Sequence, residues 1–263
     1  MPTVAIHGAA GRMGRRLATL AMEDHDLVLV GAIDCPGHEC LGLDVGTIAG
    51  TDPTGITLST QWPSKVDVTI DFSSPAGAVN ALSGCVNSGS AIVIGTTGLQ
   101  EDVQGAIDAA ARTIAVLQAP NMSLGVNLLF ALAAQSARQL GEEYDIEIIE
   151  AHHRFKVDAP SGTAFGIAEA ICQATDRDMK KDVVFGRHGS NVPRRPGEIG
   201  VHSLRLGDEV GRHSVSFAML GEQLQLTHVA TTRDVFVRGA LAAAKWLAEK
   251  PAGRYRMADV LGL

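Results

Sequence analysis

Between Glu150 and Ala164 the chain reads Glu-Ala-His-His-Arg-Phe-Lys-Val-Asp-Ala-Pro-Ser-Gly-Thr-Ala. His152, His153, Arg154 and Lys156 crowd basic side chains into a short stretch, which repels itself unless an anion neutralises it. Imidazole titrates near neutral pH, so a histidine here can serve as a general acid. Ser161, Gly162 and Thr163 fall where a helix is expected to open. Amides without intrahelical partners, together with the hydroxyls, make that a second anion site. The combination suits a pocket for a small molecule with carboxylates, placed to receive a hydride and a proton. The isolated parts have blander readings: a His-His pair is often one buried and one solvated residue, and Arg-x-Lys is often a wet loop. Metal ligation is not expected, because neighbouring strand residues face opposite ways and the cysteines offer no matching pair.

A second set of candidates opens the chain. Gly8-Ala9-Ala10-Gly11-Arg12-Met13-Gly14 has the spacing G-x-x-G-x-x-G directly after an apolar run. Glycine is needed where the backbone turns tightly and must approach a pyrophosphate with no Cβ in the way. The helix that starts near Gly11 aims free amides and its positive dipole end at phosphates. Asp34 stands about 20 residues past the last glycine, where an acid accepts hydrogen bonds from the adenosine ribose hydroxyls. The alternative is an ordinary strand–helix turn beside a surface acid. The agreement of strand, turn, helix and acid argues instead for a nicotinamide dinucleotide. Gly95-Thr96-Thr97-Gly98 and Ala119-Pro120-Asn121 each follow another apolar run, so they are expected at the same carboxyl edge, where open parallel sheets gather ligands.

The elements that must position these residues are legible in the pattern. Thr3–His7, Leu27–Ile33, Val66–Phe72, Ala91–Ile94 and Ile114–Leu117 are Val- and Ile-rich runs of the kind found in buried parallel strands. Helical spacing covers Arg12–Glu23, Ala76–Asn87 and Gln100–Arg112, with Ser73-Ser74-Pro75 as strand stop and cap before the second. This alternation predicts a doubly wound, Rossmann-type α/β sheet. After Asn121 the expected order is a helix over Val126–Leu140, a strand over Ile146–Ala151 and a helix over Ser161–Ala174. A Gly-, Arg- and Pro-rich loop over Gly186–Gly197 follows. Strands over Ile199–Arg205, Arg212–Leu220 and Gln223–Ala230 come next, with hairpin-like turns at Gly207-Asp208 and Gly221-Glu222. That block reads as a second α+β domain, with a mixed or antiparallel sheet and helices on one face. The expected division is residues 1–123, completed by 233–263, for the dinucleotide, and 124–232 for the substrate and oligomerisation. Periodicity alone leaves the last helix, Val235–Glu249, free to pack on either domain.

Composition narrows the class. The chain has 263 residues, enough for one large or two smaller cores, and 46% of them are hydrophobic. Aromatics at 4% and a net charge of −7 disfavour a stacking surface or phosphate-backbone footprint for nucleic acid. Cys35, Cys40, Cys85 and Cys172 form no CxxC pair and read as reduced thiols. The start of the chain lacks a basic-then-apolar signal region, and no apolar run reaches the roughly 20 residues of a membrane helix. A cytoplasmic protein without a membrane partner is expected.

Glu150 to Ala164 resembles the signature of the 4-hydroxy-tetrahydrodipicolinate reductase family of the bacterial lysine and diaminopimelate pathway. The likeness extends over nearly the whole chain, through the Gly8–Met13 turn, Val93–Gly98, Ala119-Pro120-Asn121-Met122-Ser123, Gly125-Val126-Asn127 and the Ile199 to His228 region. By this resemblance His152 takes the place of the catalytic acid/base, and Lys156 that of the proton donor that also contacts substrate. His153, Gly162 and Thr163 fall where the family binds the dicarboxylate. Gly8, Ala9, Ala10, Gly11, Arg12, Met13, Asp34, Gly95, Thr96, Thr97, Ala119, Pro120, Asn121 and Met122 fall where it binds NADH or NADPH. The resemblance also implies reduction of 4-hydroxy-tetrahydrodipicolinate with loss of water, a homotetramer joined through the second sheet, and an active site in a cleft between the domains.

Many members carry an arginine just after the acid that ends the second strand, where it can meet a 2′-phosphate. Here Cys35 and Pro36 follow Asp34, so NADH is expected to serve at least as well as NADPH, with Arg12 and Arg16 the remaining candidates for a phosphate contact. Two rival readings are another nicotinamide oxidoreductase of the same layout and a nucleotide-sensing protein without catalysis. No cysteine in a convincing setting supports an aldehyde dehydrogenase, and the His152/Lys156 pair speaks against a sensor.

Overall fold

A computed structural model describes all of residues 1–263, and the chain forms two compact units, Met1–Ser123 with Asp234–Leu263, and Leu124–Arg233. The first unit begins β1 (Thr3–His7), α1 (Arg12–Glu23), β2 (Val28–Ile33), α2 (Val45–Ala49), β3 (Leu58–Ser59) and β4 (Val68–Asp71). It continues through α3 (Pro75–Ser88), β5 (Ala91–Ile94), α4 (Glu101–Ala110) and β6 (Ala115–Gln118). The second unit holds α5 (Leu124–Leu140), β7 (Asp145–His152), α6 (Gly162–Ala174), β8 (Val183–Phe185), β9 (Ile199–Arg205), β10 (Gly211–Met219) and β11 (Glu222–Ala230). The chain then returns to the first unit with α7 (Asp234–Leu247), β12 (Gly253–Tyr255) and α8 (Met257–Leu261).

The first sheet has the order β12-β6-β5-β4-β1-β2-β3, with every pairing parallel. Val4, Ile6, Val68, Ile70, Ile92 and Ile94 are fully buried, as β-branched strands covered on both faces require. The order reverses between β1 and β4, and a parallel sheet opens a ligand crevice at the carboxyl ends beside such a switch point. Ser74 caps α3 by accepting from the Gly77 amide at 3.1 Å, with Pro75 in the first helical position. α7 packs on α1 and on β4, β5 and β6, so the last long helix belongs to the first unit. Gly239 permits this, because a Cβ there would lie 1.8 Å from the Met122 carbonyl oxygen.

The second sheet has the mixed order β11-β10-β7-β9-β8. α5 and α6 cover one face over a core of Ile146, Ile148, Ile167, Ile171, Val215 and Phe217. One expectation is corrected here. The turn at Gly207-Asp208 does not close a hairpin, because β7 lies between β9 and β10. The segment instead crosses the end of β7, where Leu206 N–H donates to the His152 carbonyl at 2.8 Å and Arg154 N–H to the Gly207 carbonyl at 3.1 Å. Sequence proximity suggested pairing, but β7 can bury both its edges only by taking the central place. The β10–β11 connection is a true hairpin, with Met219 opposite Glu222.

Candidate active site

β1 delivers the chain into the glycine turn. Gly8 has φ +76°, and a Cβ there would lie 2.5 Å from the Phe72 carbonyl oxygen, so only glycine fits. At Gly14 a Cβ would meet the Gly8 carbonyl at 2.1 Å, which is what lets α1 start flush against the turn. Asp34, just past β2, accepts from the Ala10 amide at 2.9 Å and from the Cys35 amide at 2.8 Å. These bonds fix the carboxylate beside the turn. Arg15 Nε donates to the Ala10 carbonyl at 2.7 Å, bracing the same loop.

Gly8, Gly11 and Asp34 line a cavity of about 640 Å³ together with His7, Trp62 and Asn80. Ala9 and Ala10 are buried in the turn, and Arg12 and Met13 form the first turn of α1. Gly95 to Thr97 follow β5 and Ala119 to Met122 follow β6, at neighbouring strand ends outside that cavity's wall. The Thr96 hydroxyl donates to Asp71 Oδ2 at 2.6 Å and accepts from the Ser73 amide at 2.8 Å, so it ties strand ends together. Met122 is buried.

Sequence reasoning missed a polar cluster behind this cavity, which His7 and Ser73 line. Fully buried Asp71 accepts from Ser73 Oγ at 2.6 Å and pairs with His7 Nδ1 at 2.7 Å. The His7 ring stacks on Trp62, with centroids 5.5 Å apart, and Trp62 in turn lies over Gly84 of α3. His7 directly precedes the glycine motif and Asp71 ends an apolar run, which was the available signal.

In the second unit β7 projects Glu150 and His152 from the same side of the sheet as its core residues. His152 Nδ1 meets Glu150 Oε2 at 2.5 Å. Glu150 is fully buried, and Arg205 NH1 donates to its two oxygens at 2.9 and 3.0 Å. Burial raises the Glu150 carboxyl, but the donors His152, Ser203 and Arg205 more than offset this and hold it below the usual carboxylate range. Burial lowers the His152 imidazole below its ordinary value, although Glu150 pulls it upward. With Nδ1 committed to an ionised carboxylate, Nε2 is the nitrogen left for chemistry. A side chain at Gly211 would crowd it, since a Cβ there would sit 3.2 Å from Nε2.

Lys156 Nζ pairs with Asp158 Oδ2 at 2.8 Å and keeps donors to spare. His153 Nδ1 is buried without a partner. Ser161 caps α6, its Oγ accepting from the Ala164 amide at 3.1 Å, so Gly162 and Thr163 supply the first amides of that helix. Gly162 has open space where a Cβ would stand. Arg205 was not singled out from sequence. It faces His152 only through the parallel register of β7 and β9, which no local pattern reveals.

A parallel Rossmann-type sheet with a glycine cradle and an acid after β2, in one chain with a buried Glu–His pair beside a cationic helix start, defines a dinucleotide-dependent oxidoreductase. Residues 2–122 match the family described as "Dihydrodipicolinate reductase, N-terminus" and residues 125–261 match "Dihydrodipicolinate reductase, C-terminus". The chain belongs to the dihydrodipicolinate reductase family. It is 46% identical to the 4-hydroxy-tetrahydrodipicolinate reductase of Nitrosomonas europaea, over 99% of this chain and 98% of that one. Its identity to the enzyme of that name from Chromohalobacter salexigens is also 46%, over 100% and 99%. The fold is that of a solved structure, the dipicolinate-bound dihydrodipicolinate reductase from Paenisporosarcina sp. TG-14. The TM-score is 0.76 at 24% identity, covering 97% of each chain.

Proposed function

We propose that this chain converts 4-hydroxy-tetrahydrodipicolinate, NAD(P)H and a proton into tetrahydrodipicolinate, NAD(P)⁺ and water, in the synthesis of lysine and diaminopimelate. The observation that carries the assignment of roles is the Glu150–His152 pair, with Nε2 free, beside Lys156 and the start of α6. The cofactor fits the first unit because Gly8 and Gly14 leave no room for a Cβ and Asp34 offers a carboxylate to a ribose diol. When bound it supplies the hydride.

This chain's own residues do the rest. The Gly162 and Thr163 amides, with His153, receive one carboxylate, and Lys156 receives the other or delivers a proton. His152, held by Glu150, moves a proton at Nε2 and completes the addition after the hydride arrives. The sheet face of the second unit turned away from its helices leaves Ile149, Leu204 and Val229 exposed, which supports a homotetramer built through residues 124–233. No helix is long and apolar enough to cross a membrane, and a cytoplasmic location accords with the reduced cofactor and free thiols.

The test follows NADH oxidation with freshly generated 4-hydroxy-tetrahydrodipicolinate. His152→Ala and Lys156→Ala should each lower kcat/KM by about 10²- to 10⁴-fold while circular dichroism stays unchanged. Near-normal turnover in both variants would remove the assignment.

A further inference from the structure

One buried imidazole is left over by this account. His213 lies on β10 opposite Glu150 of β7, and only 4% of it is exposed. Burial, reinforced by the neighbouring His152, pushes its pKa down to about 3, so the ring is neutral at any pH where the enzyme works. A neutral imidazole has one N–H and one bare nitrogen, and the surroundings decide which is which. Its Nε2 is 2.9 Å from Ser161 Oγ. That hydroxyl oxygen already accepts from the Ala164 amide as the cap of α6. Its single proton needs an acceptor, and Nε2 is the one within reach. The His213 proton therefore sits on Nδ1, which is buried without a partner. The other tautomer would leave two groups unsatisfied, Nδ1 and the Ser161 hydroxyl, in place of one.

The ring has a second contact. It meets His152 edge to face, with centroids 5.1 Å apart and planes at 72°. Ser161 is also tied to the catalytic side, since its amide donates to Glu150 Oε1 at 3.2 Å. His213 thus touches the two arms of the site, the hydroxyl that caps α6 and the imidazole that moves the proton.

We propose that His213 is a positioning residue, a neutral acceptor that holds the Ser161 hydroxyl and so aims the first amides of α6 at a substrate carboxylate, while its ring edge fixes the rotation of His152. This rests on the function proposed above. The effect should fall on substrate binding more than on turnover. Losing one neutral hydrogen bond corresponds to about a tenfold loss.

The experiment measures steady-state KM and kcat, with calorimetric binding of dipicolinate, a planar dicarboxylate that cannot be reduced in the same step. The variants are His213→Leu, His213→Gln, Ser161→Ala and the double variant His213→Leu/Ser161→Ala, all in the full chain. His213→Leu and Ser161→Ala should each raise KM and the dipicolinate Kd about tenfold, with smaller changes in kcat. The double variant should lose clearly less than the product of the two single losses, because the bond they share is removed only once. His213→Gln should recover most of the loss, since a glutamine oxygen can accept where Nε2 did. Multiplying losses in the double variant, unchanged KM and Kd in Ser161→Ala, or a glutamine variant as poor as the leucine one would each overturn the inference. If His213→Leu fails to fold, Ser161→Ala and His213→Gln decide by the same criteria. A wild-type chain that neither binds dipicolinate nor turns over substrate would instead overturn the proposed function.

Discussion

Glu150 shows how one buried side chain can set the chemistry of another. Its carboxylate is satisfied by Arg205, the Ser161 amide and His152, so it stays ionised and fixes the His152 proton on Nδ1. Glu150→Gln keeps the shape and removes the charge. Because Glu150 raises the His152 pKa against the lowering by burial, the variant's imidazole should titrate lower still. The reaction needs the protonated ring, so kcat/KM falls as pH rises through that pKa. In Glu150→Gln the fall should begin at lower pH, with kcat reduced about 10²-fold. Profiles of kcat/KM against pH for both proteins check this, and superimposable limbs would count against the pairing.

Asp34 carries a second prediction at this scale. Its two oxygens are held beside the turn by backbone donors, where they meet a ribose diol well and a 2′-phosphate badly. Arg16 offers that phosphate little, since its guanidinium is doubly bonded to Asp234 at 2.7 Å. The kcat/KM for NADH should equal or exceed that for NADPH, and a strong NADPH preference would refute this.

Among the elements, the glycine turn makes the clearest demand. Gly8→Ala forces a side chain into a left-handed conformation and against the Phe72 carbonyl, so it should cost about 1–3 kcal/mol in thermal unfolding. NADH binding, followed by fluorescence, should be lost with it. This turn, its strands and α1 were legible because local periodicity and glycine spacing specify them. The start of α6 was legible for the same reason. Ser161 does not offer its own groups to an anion as expected, because its amide goes to Glu150 and its hydroxyl to the Ala164 amide and His213. What stayed hidden depends on register. Arg205 opposite His152, His213 opposite Glu150, and β7 between β9 and β10 are all facts of pairing, and a one-residue slip would change every partner. The short strands β3, β8 and β12 were hidden too. Gly253–Tyr255, for one, has no apolar run, because an edge strand needs little burial of its own.

At the scale of the whole molecule the open face of the second sheet is the decisive feature. Helices α5 and α6 pack on the opposite face, while Ile149, Leu204 and Val229 stand 41%, 45% and 43% exposed on this one. Register puts all three on this face: Leu204 lies opposite Ala151 with Ile149 two residues along, while exposed Arg212 stands between Ala151 and Val229. Neighbouring apolar side chains on a flat sheet are a surface that association covers. A stable contact of this kind needs about 1,000 Å² or more of buried area. One charge at its centre, left without a partner on burial, costs about 3–5 kcal/mol, which weakens the association by roughly 10²- to 10⁴-fold. On the homotetramer proposed above, joined through this face, sedimentation should give a four-chain mass for the wild type and a smaller species for Ile149→Asp. The circular dichroism of Ile149→Asp should be unchanged, because Ile149 takes no part in the core between the sheet and its helices. A wild-type monomer, or a four-chain Ile149→Asp variant, would show that the exposed face is not the contact.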